Sequence, residues 1–189
     1  MTLKNMIKGG ALFVALAFLF GCAGSRPAKE EMVPGAPDWV NRGSGAFEEK
    51  DRKLFYGVGS VTGVSNPALE QTSADSRARA ELARVLGIYV SLLYKDYQSA
   101  STTSEPGKGS EEQHVEQALK TTVDESLRGA KIIDHWRNPK NGVLYALGKL
   151  NLDDYKELIG TIKELKPEAK SLIQQRAESA FKALQAEGK

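Results

Sequence analysis

Ala74, Ala78, Leu82, Val85 and Tyr89 recur at steps of four, four, three and four, which puts five apolar side chains on one face of a helix. No other feature constrains the fold as much. The first half of the stripe is alanine, so this helix can lie tight against a sheet. Asn66 or Ser65 can cap its start, and Pro67 suits the first helical position. Just upstream, "KLFYGVGSVTG" (53–63) has strand composition interrupted by Gly57, Gly59 and Gly63. Strand, glycines and helix invite comparison with a dinucleotide-binding fingerprint. The comparison fails, because the third glycine comes one place late and no second strand with an acidic end follows at the expected distance. Glycine inside a strand more often lets a helix or another backbone approach closely.

The arginines on the helix, Arg77, Arg79 and Arg84, are interleaved with Glu70, Asp75 and Glu81. They read as a solvated face with i,i+4 pairs, Arg77 with Glu81 among them, and not as a basic patch. Around Gly87 the period changes, and the β-rich "YVSLLYKDYQSAS" predicts a strand in which Tyr89, Tyr94 and Tyr97 pack on the sheet. "SEPGKGS" (104–110) predicts a loop. A helix follows with Val115, Ala118, Leu119, Thr122, Val123 and Leu127 on one side and Gly129 as its stop. His114 in this helix has no second ligand at i+4, so it reads as a surface histidine and no metal site is expected.

"AKIIDHWRNPKNGVLYALGKLN" predicts a hairpin, two β-rich runs around Asn138-Pro139-Lys140-Asn141-Gly142. Neighbours on a strand point to opposite faces, so Asp134 and His135 cannot act as a simple catalytic pair. The C-terminal third is helical: Asp153 or Asn151 caps a short helix, and Pro167 interrupts it. Beyond, Ala169, Leu172, Ile173, Ala177, Ala180, Phe181 and Leu184 form an apolar stripe. Packing on its own domain and packing on a partner are equally open for this stripe, and Leu172, Ile173 and Phe181 are its candidate partner contacts.

At the other end, Ala11–Phe20 is an apolar run preceded by Lys4 and Lys8, with no acid before Glu30. It covers only about half of a ~30 Å hydrocarbon core, too short to span a membrane. A basic start, a short apolar centre and a small-residue end describe a secretory signal. Leu19-Phe20-Gly21-Cys22 resembles the lipobox at which bacterial signal peptidase II cleaves, between Gly21 and Cys22, leaving Cys22 as the lipidated first residue. Phe20 is bulkier than the usual residue there. Ala23 stands where an inner-membrane lipoprotein carries aspartate, which points to the outer membrane. As the single cysteine, Cys22 allows no internal disulfide. The chain has 26 basic and 24 acidic residues; cleavage removes Lys4 and Lys8 and no acid, leaving 24 of each in a mature chain of 168 residues. A formal charge of zero argues against nucleic acid as a partner.

The expected organisation is a signal peptide at 1–21, lipidated Cys22 and a flexible tether through 50, a domain over 51–152 and a helical extension over 153–189. The tether is rich in Gly, Pro, Ser and charge. One piece differs: in Pro37-Asp38-Trp39-Val40, Trp39 either docks on the domain or serves as a partner anchor, and docking is favoured because large aromatics are mostly buried.

Taken in order, the lipobox, Pro37-Asp38-Trp39-Val40, Phe55-Tyr56-Gly57-Val58-Gly59, "ADSRARAELARVLG" and "VLYALGKL" (143–150) resemble the LPP-twenty family of small bacterial outer-membrane lipoproteins. The resemblance spans roughly residues 37–152. The helix region also looks like the N-terminal domain of the flagellar FlgT protein, and the flagellar lipoprotein FlgP is among the relatives. The family implies an α+β fold, a two-layer sandwich of a small antiparallel sheet packed by helices. The helix beyond Asp153 lies outside it. The resemblance implies a non-catalytic, lipid-anchored, periplasm-facing protein, a structural or interaction module of the envelope. No catalytic residue and no cofactor are expected. Its partners would be the membrane through the anchor, an envelope or flagellar protein, or further copies of itself. The alternatives are a surface-exposed structural or antigenic lipoprotein and an activator of a cell-wall enzyme.

Overall fold

The computed structural model describes residues 32–101 and 108–188. The signal peptide, Gly21, Cys22 and the first part of the expected tether lie outside the described residues, as does most of the expected 104–110 loop. The elements in chain order are α1 (Asp38–Arg42), β1 (Gly45–Glu49), β2 (Arg52–Val61), α2 (Pro67–Ala100), α3 (Lys108–Gly129), β3 (Lys131–Arg137), β4 (Leu144–Asn151), α4 (Leu152–Thr161) and α5 (Pro167–Glu187). The fold is α+β: one four-stranded antiparallel sheet, ordered β1-β2-β4-β3, with helices on it.

β2 is the axis of the sheet, pairing with β1 through Gly45↔Tyr56 to Glu49↔Arg52 and with β4 through Leu54↔Asn151 to Val61↔Leu144. Side chains alternate between two faces. Phe55, Gly57, Gly59 and Val61 of β2 share the inner face with Leu144, Ala146, Gly148 and Leu150 of β4. Leu54, Tyr56, Val58 and Ser60 share the outer face with Tyr145, Leu147 and Lys149. The predicted hairpin is present. Gly142, at φ 72°, closes its loop by donating to the Asn138 carbonyl at 2.9 Å. The buried Asn138 side chain accepts from the Lys140 amide at 2.9 Å.

α2 begins as the sequence implies, with Asn66 Oδ1 accepting from the amides of Ala68 and Leu69 at 3.0 and 3.2 Å and Pro67 in the first turn. Its alanines lie on the inner face opposite the β2 glycines. A Cβ at Gly59 would come within 2.5 Å of the Ala74 carbonyl oxygen, and one at Gly57 within 2.7 Å of Leu82 Cβ. The glycines therefore serve close helix–sheet contact.

The strand expected from Tyr89 onward is not formed, because α2 continues as one helix of 34 residues to Ala100. Tyr89, Leu93 and Tyr97 extend the spacing of four, and all three are buried with Leu86 and Val90. Burial along one continuous face outweighs the β-propensity of tyrosine and valine, which is weak and context-dependent. At ~1.5 Å per residue α2 is about 51 Å long, against about 33 Å for β2. Its second half therefore runs past the sheet, where α3, α4 and α5 surround it.

The predicted tether also ends sooner than residue 50, since β1 and α1 fall inside it. The turn between β1 and β2 places Lys50 and Asp51 at φ 48° and 64°. Positive φ at both central positions normally selects Asn-Gly or Asp-Gly. Lys-Asp does not announce such a turn, which is why the β1–β2 hairpin was not legible.

α5 packs on its own domain. Ile173 and Phe181 are fully buried. Phe181 meets Phe55 edge-on at 5.3 Å between ring centres, and the Tyr89 hydroxyl donates to the Ala177 carbonyl at 3.2 Å. Ile173 and Phe181 are thus core residues, a correction to their expectation as partner contacts, and Leu172 beside them is half-buried. The inner face of the sheet supplies apolar surface that the stripe can cover without leaving the chain.

Candidate functional site

The outer face of the sheet is where the N-terminal segment docks. Val40 of α1 is buried, and the half-buried Trp39 packs with Leu54, Tyr56 and Leu147. The Trp39 indole N–H donates to Asp134 Oδ2 on β3 at 2.9 Å. Trp39 therefore docks on the domain. Just ahead of α1, the Asn41 side chain clamps the entering chain: its Oδ1 accepts from the Val33 amide at 2.9 Å and its Nδ2 donates to the Val33 carbonyl at 3.2 Å.

A charged and aromatic cluster holds the other end of α1. The Arg42 guanidinium lies 4.1 Å from the Phe47 ring centre and 5.8 Å from that of Tyr56. It donates to Glu49 Oε1 at 2.5 Å and to Asp38 Oδ2 at 3.3 Å, while the Tyr56 hydroxyl donates to Glu49 Oε2 at 2.9 Å. Burial and the bond to Glu49 push the Tyr56 hydroxyl up to about 12. Burial alone would raise Glu49, but the bonds from Tyr56 and Arg42 outweigh it and hold this carboxyl below its ordinary value.

Asp134 and His135 point to opposite faces as expected. While Asp134 meets Trp39, His135 Nε2 lies 2.6 Å from Asp75 Oδ1 of α2. Two residues on, Arg137 forks onto Glu70 of α2 at 2.6 and 3.1 Å and donates to the Gly142 carbonyl at 2.9 Å. The hydrogen bonds from Arg137 hold the Glu70 carboxyl below its ordinary value. These ties fasten the edge strand β3 to α2 across 60 and 67 positions of sequence, and no local pattern could have disclosed them. The expected Arg77–Glu81 pair is replaced: Arg77 donates to the Ser60 carbonyl, and Glu81 pairs with Arg84 at 3.0 Å.

On the far side, α3 and the α4–α5 connection enclose a half-open groove of about 480 Å³ lined by His114, Thr121, Glu125, Ile162 and Lys163 among others. At its base the hydroxyls of Thr122 and Tyr155 are 2.8 Å apart. Among the described residues no group of three or more His, Cys, Asp or Glu could hold a metal ion. What the outer face offers chemically is contact: paired acids, basic side chains (Lys131, Lys149), and the rings of Trp136 and Tyr145, tilted to each other with centres 5.6 Å apart.

A helix-backed antiparallel sheet with an N-terminal strap tied across its outer face defines the class, an α+β domain. The chain belongs to the LPP20 lipoprotein family, whose family model matches residues 37–151. The match runs from the residue before α1 to the last residue of β4, so α4 and α5 lie beyond it. Membership makes the protein a membrane-anchored lipoprotein of the cell envelope. Among the described residues no helix is long and apolar enough to cross a membrane. No functionally curated protein matches the chain.

Proposed function

We propose that the protein is cleaved between Gly21 and Cys22, lipidated at Cys22, and held at the outer membrane facing the periplasm as a non-catalytic interaction or structural module. Its partner would be another envelope protein, a flagellar basal-body component among the candidates, or further copies of itself. The observation that carries this reading is the Trp39–Asp134 bond. It ties the segment that leads into the domain to the sheet, which leaves eleven residue steps between Cys22 and the first docked backbone at Val33. Family membership supports a lipid anchor. Several acyl chains make attachment durable where one gives only marginal binding, and confinement at a membrane lets weak contacts suffice.

The test is cross-linking in intact cells, comparing proteins recovered with the tagged chain against a Cys22→Ser control. Recovery of a defined envelope assembly that depends on Cys22 supports the module, and flagellar ring proteins would specify it. Recovery of cell-wall synthases would replace it with the activator reading. Cleavage by protease added outside intact cells would overturn the periplasmic orientation.

A further inference from the structure

We propose that the outer face of the sheet, along β3 and β4, lies against the phospholipid surface that holds the anchor; this rests on the lipidation of Cys22 proposed above. Three observations lead there. First, the chain enters the described domain on this face. The Asn41 side chain ties both backbone groups of Val33 to α1, and α1 is fixed to the sheet by Trp39.

Second, the connection is short. Eleven peptide steps lead from Cys22 to Val33. They reach at most about 40 Å fully extended, and a flexible chain of that length spans typically ~18 Å. A domain of this size has a radius of gyration of about 15 Å. Turning α5 and the helical layer toward the lipid would require the connection to run around the domain, close to full extension. Placing the outer face down requires nothing of the kind.

Third, the face has the chemistry of a membrane interface. Trp136 and Tyr145 are half-exposed rings with polar tips, the type that settles at headgroup depth. Lys131 and Lys149 face each other across β3 and β4 on the same side, suited to anionic phosphate groups. The acids there are engaged, Glu49 by Arg42 and Tyr56, Asp134 by Trp39. Of the three exposed large hydrophobic residues described, Met32 (77%) stands where the connection enters and Ile133 (45%) lies on β3, while Leu69 (57%) is in the first turn of α2.

Because lipidation blocks Cys22, an introduced cysteine would be the one thiol open to labelling. The full-length lipidated protein, carrying an environment-sensitive fluorophore at Lys131→Cys or at Lys182→Cys on α5, is reconstituted into vesicles of phosphatidylethanolamine and phosphatidylglycerol. A fraction of the lipid carries a headgroup nitroxide. The expected result is several-fold stronger quenching at position 131 than at 182, with a blue shift at 131 alone. Equal quenching at both positions in protein that floats with the vesicles overturns the orientation and leaves the anchor intact. Protein that fails to float overturns the anchor, and the orientation with it.

Discussion

The Trp39 indole nitrogen and Asp134 Oδ2 lie 2.9 Å apart, joining residues 95 positions apart in sequence. The bond sits at the surface, so its loss is a matter of the strap and not of the whole fold. Trp39→Phe keeps most of the packing and removes the donor, and is expected to cost about 0.5–1.5 kcal/mol. Limited proteolysis should show cleavage within 32–42 rising in the variant, and Asp134→Ala should reproduce it without adding to it.

Gly57 and Gly59 should tolerate no side chain. Alanine at either would press into α2 backbone, against Ala78 and Leu82 in one case and Ala74 and Ala78 in the other. Each is expected to destabilise by about 3 kcal/mol or more, with α2 displaced from the sheet. Gly87 gives the opposite sign. It lies exposed within α2, and a Cβ there meets nothing within 4 Å. Gly87→Ala should stabilise by roughly 0.5–1 kcal/mol. Denaturant midpoints of the three variants check both halves.

α5 should be indispensable although it lies outside the family match. Phe181→Ala is expected to cost ~3–5 kcal/mol, since the ring is fully buried against Phe55. A chain ending at Asn151 would expose Tyr89 and Phe55 together and is expected to bind a hydrophobic dye and lose its cooperative thermal transition. A native-like melt from such a chain would contradict the placement of α5 in the core.

Acid should weaken the fold through Glu49 and Glu70. Both carboxyls are held below the ordinary value of 4.5 in the folded chain. Their contribution is therefore present above that value and lost as pH falls through the lowered folded values. Glu70→Gln should flatten the acid limb of a stability–pH profile measured by denaturant unfolding. Tyr56 acts at the other extreme. Its folded value is raised from 10.0 to about 12, so its contribution is full below 10.0 and lost as pH rises through about 12. A spectroscopic phenolate titration should lose that late step in Tyr56→Phe.

The parts of this protein that the sequence by itself determined are those whose signal is local. Asn66-Pro67 with the alanine stripe specified the start and buried face of α2; Asn138 to Gly142 specified the β3–β4 turn; the alternation at Asp134-His135 excluded a paired site there. The order of motifs from Pro37 to Leu150 disclosed the family, whose model matches residues 37–151. Tertiary structure decided the rest, because the deciding partners are far apart in sequence. β1 is a strand because β2 pairs with it through a Lys50-Asp51 turn that carries no glycine. Residues 89–100 are helical because α3, α4 and α5 bury Tyr89, Leu93 and Tyr97 on one face. The stripe of α5 could have faced a partner as well as its own sheet, and it is the open inner face beside Phe55, within reach of the same chain, that settles where Phe181 goes.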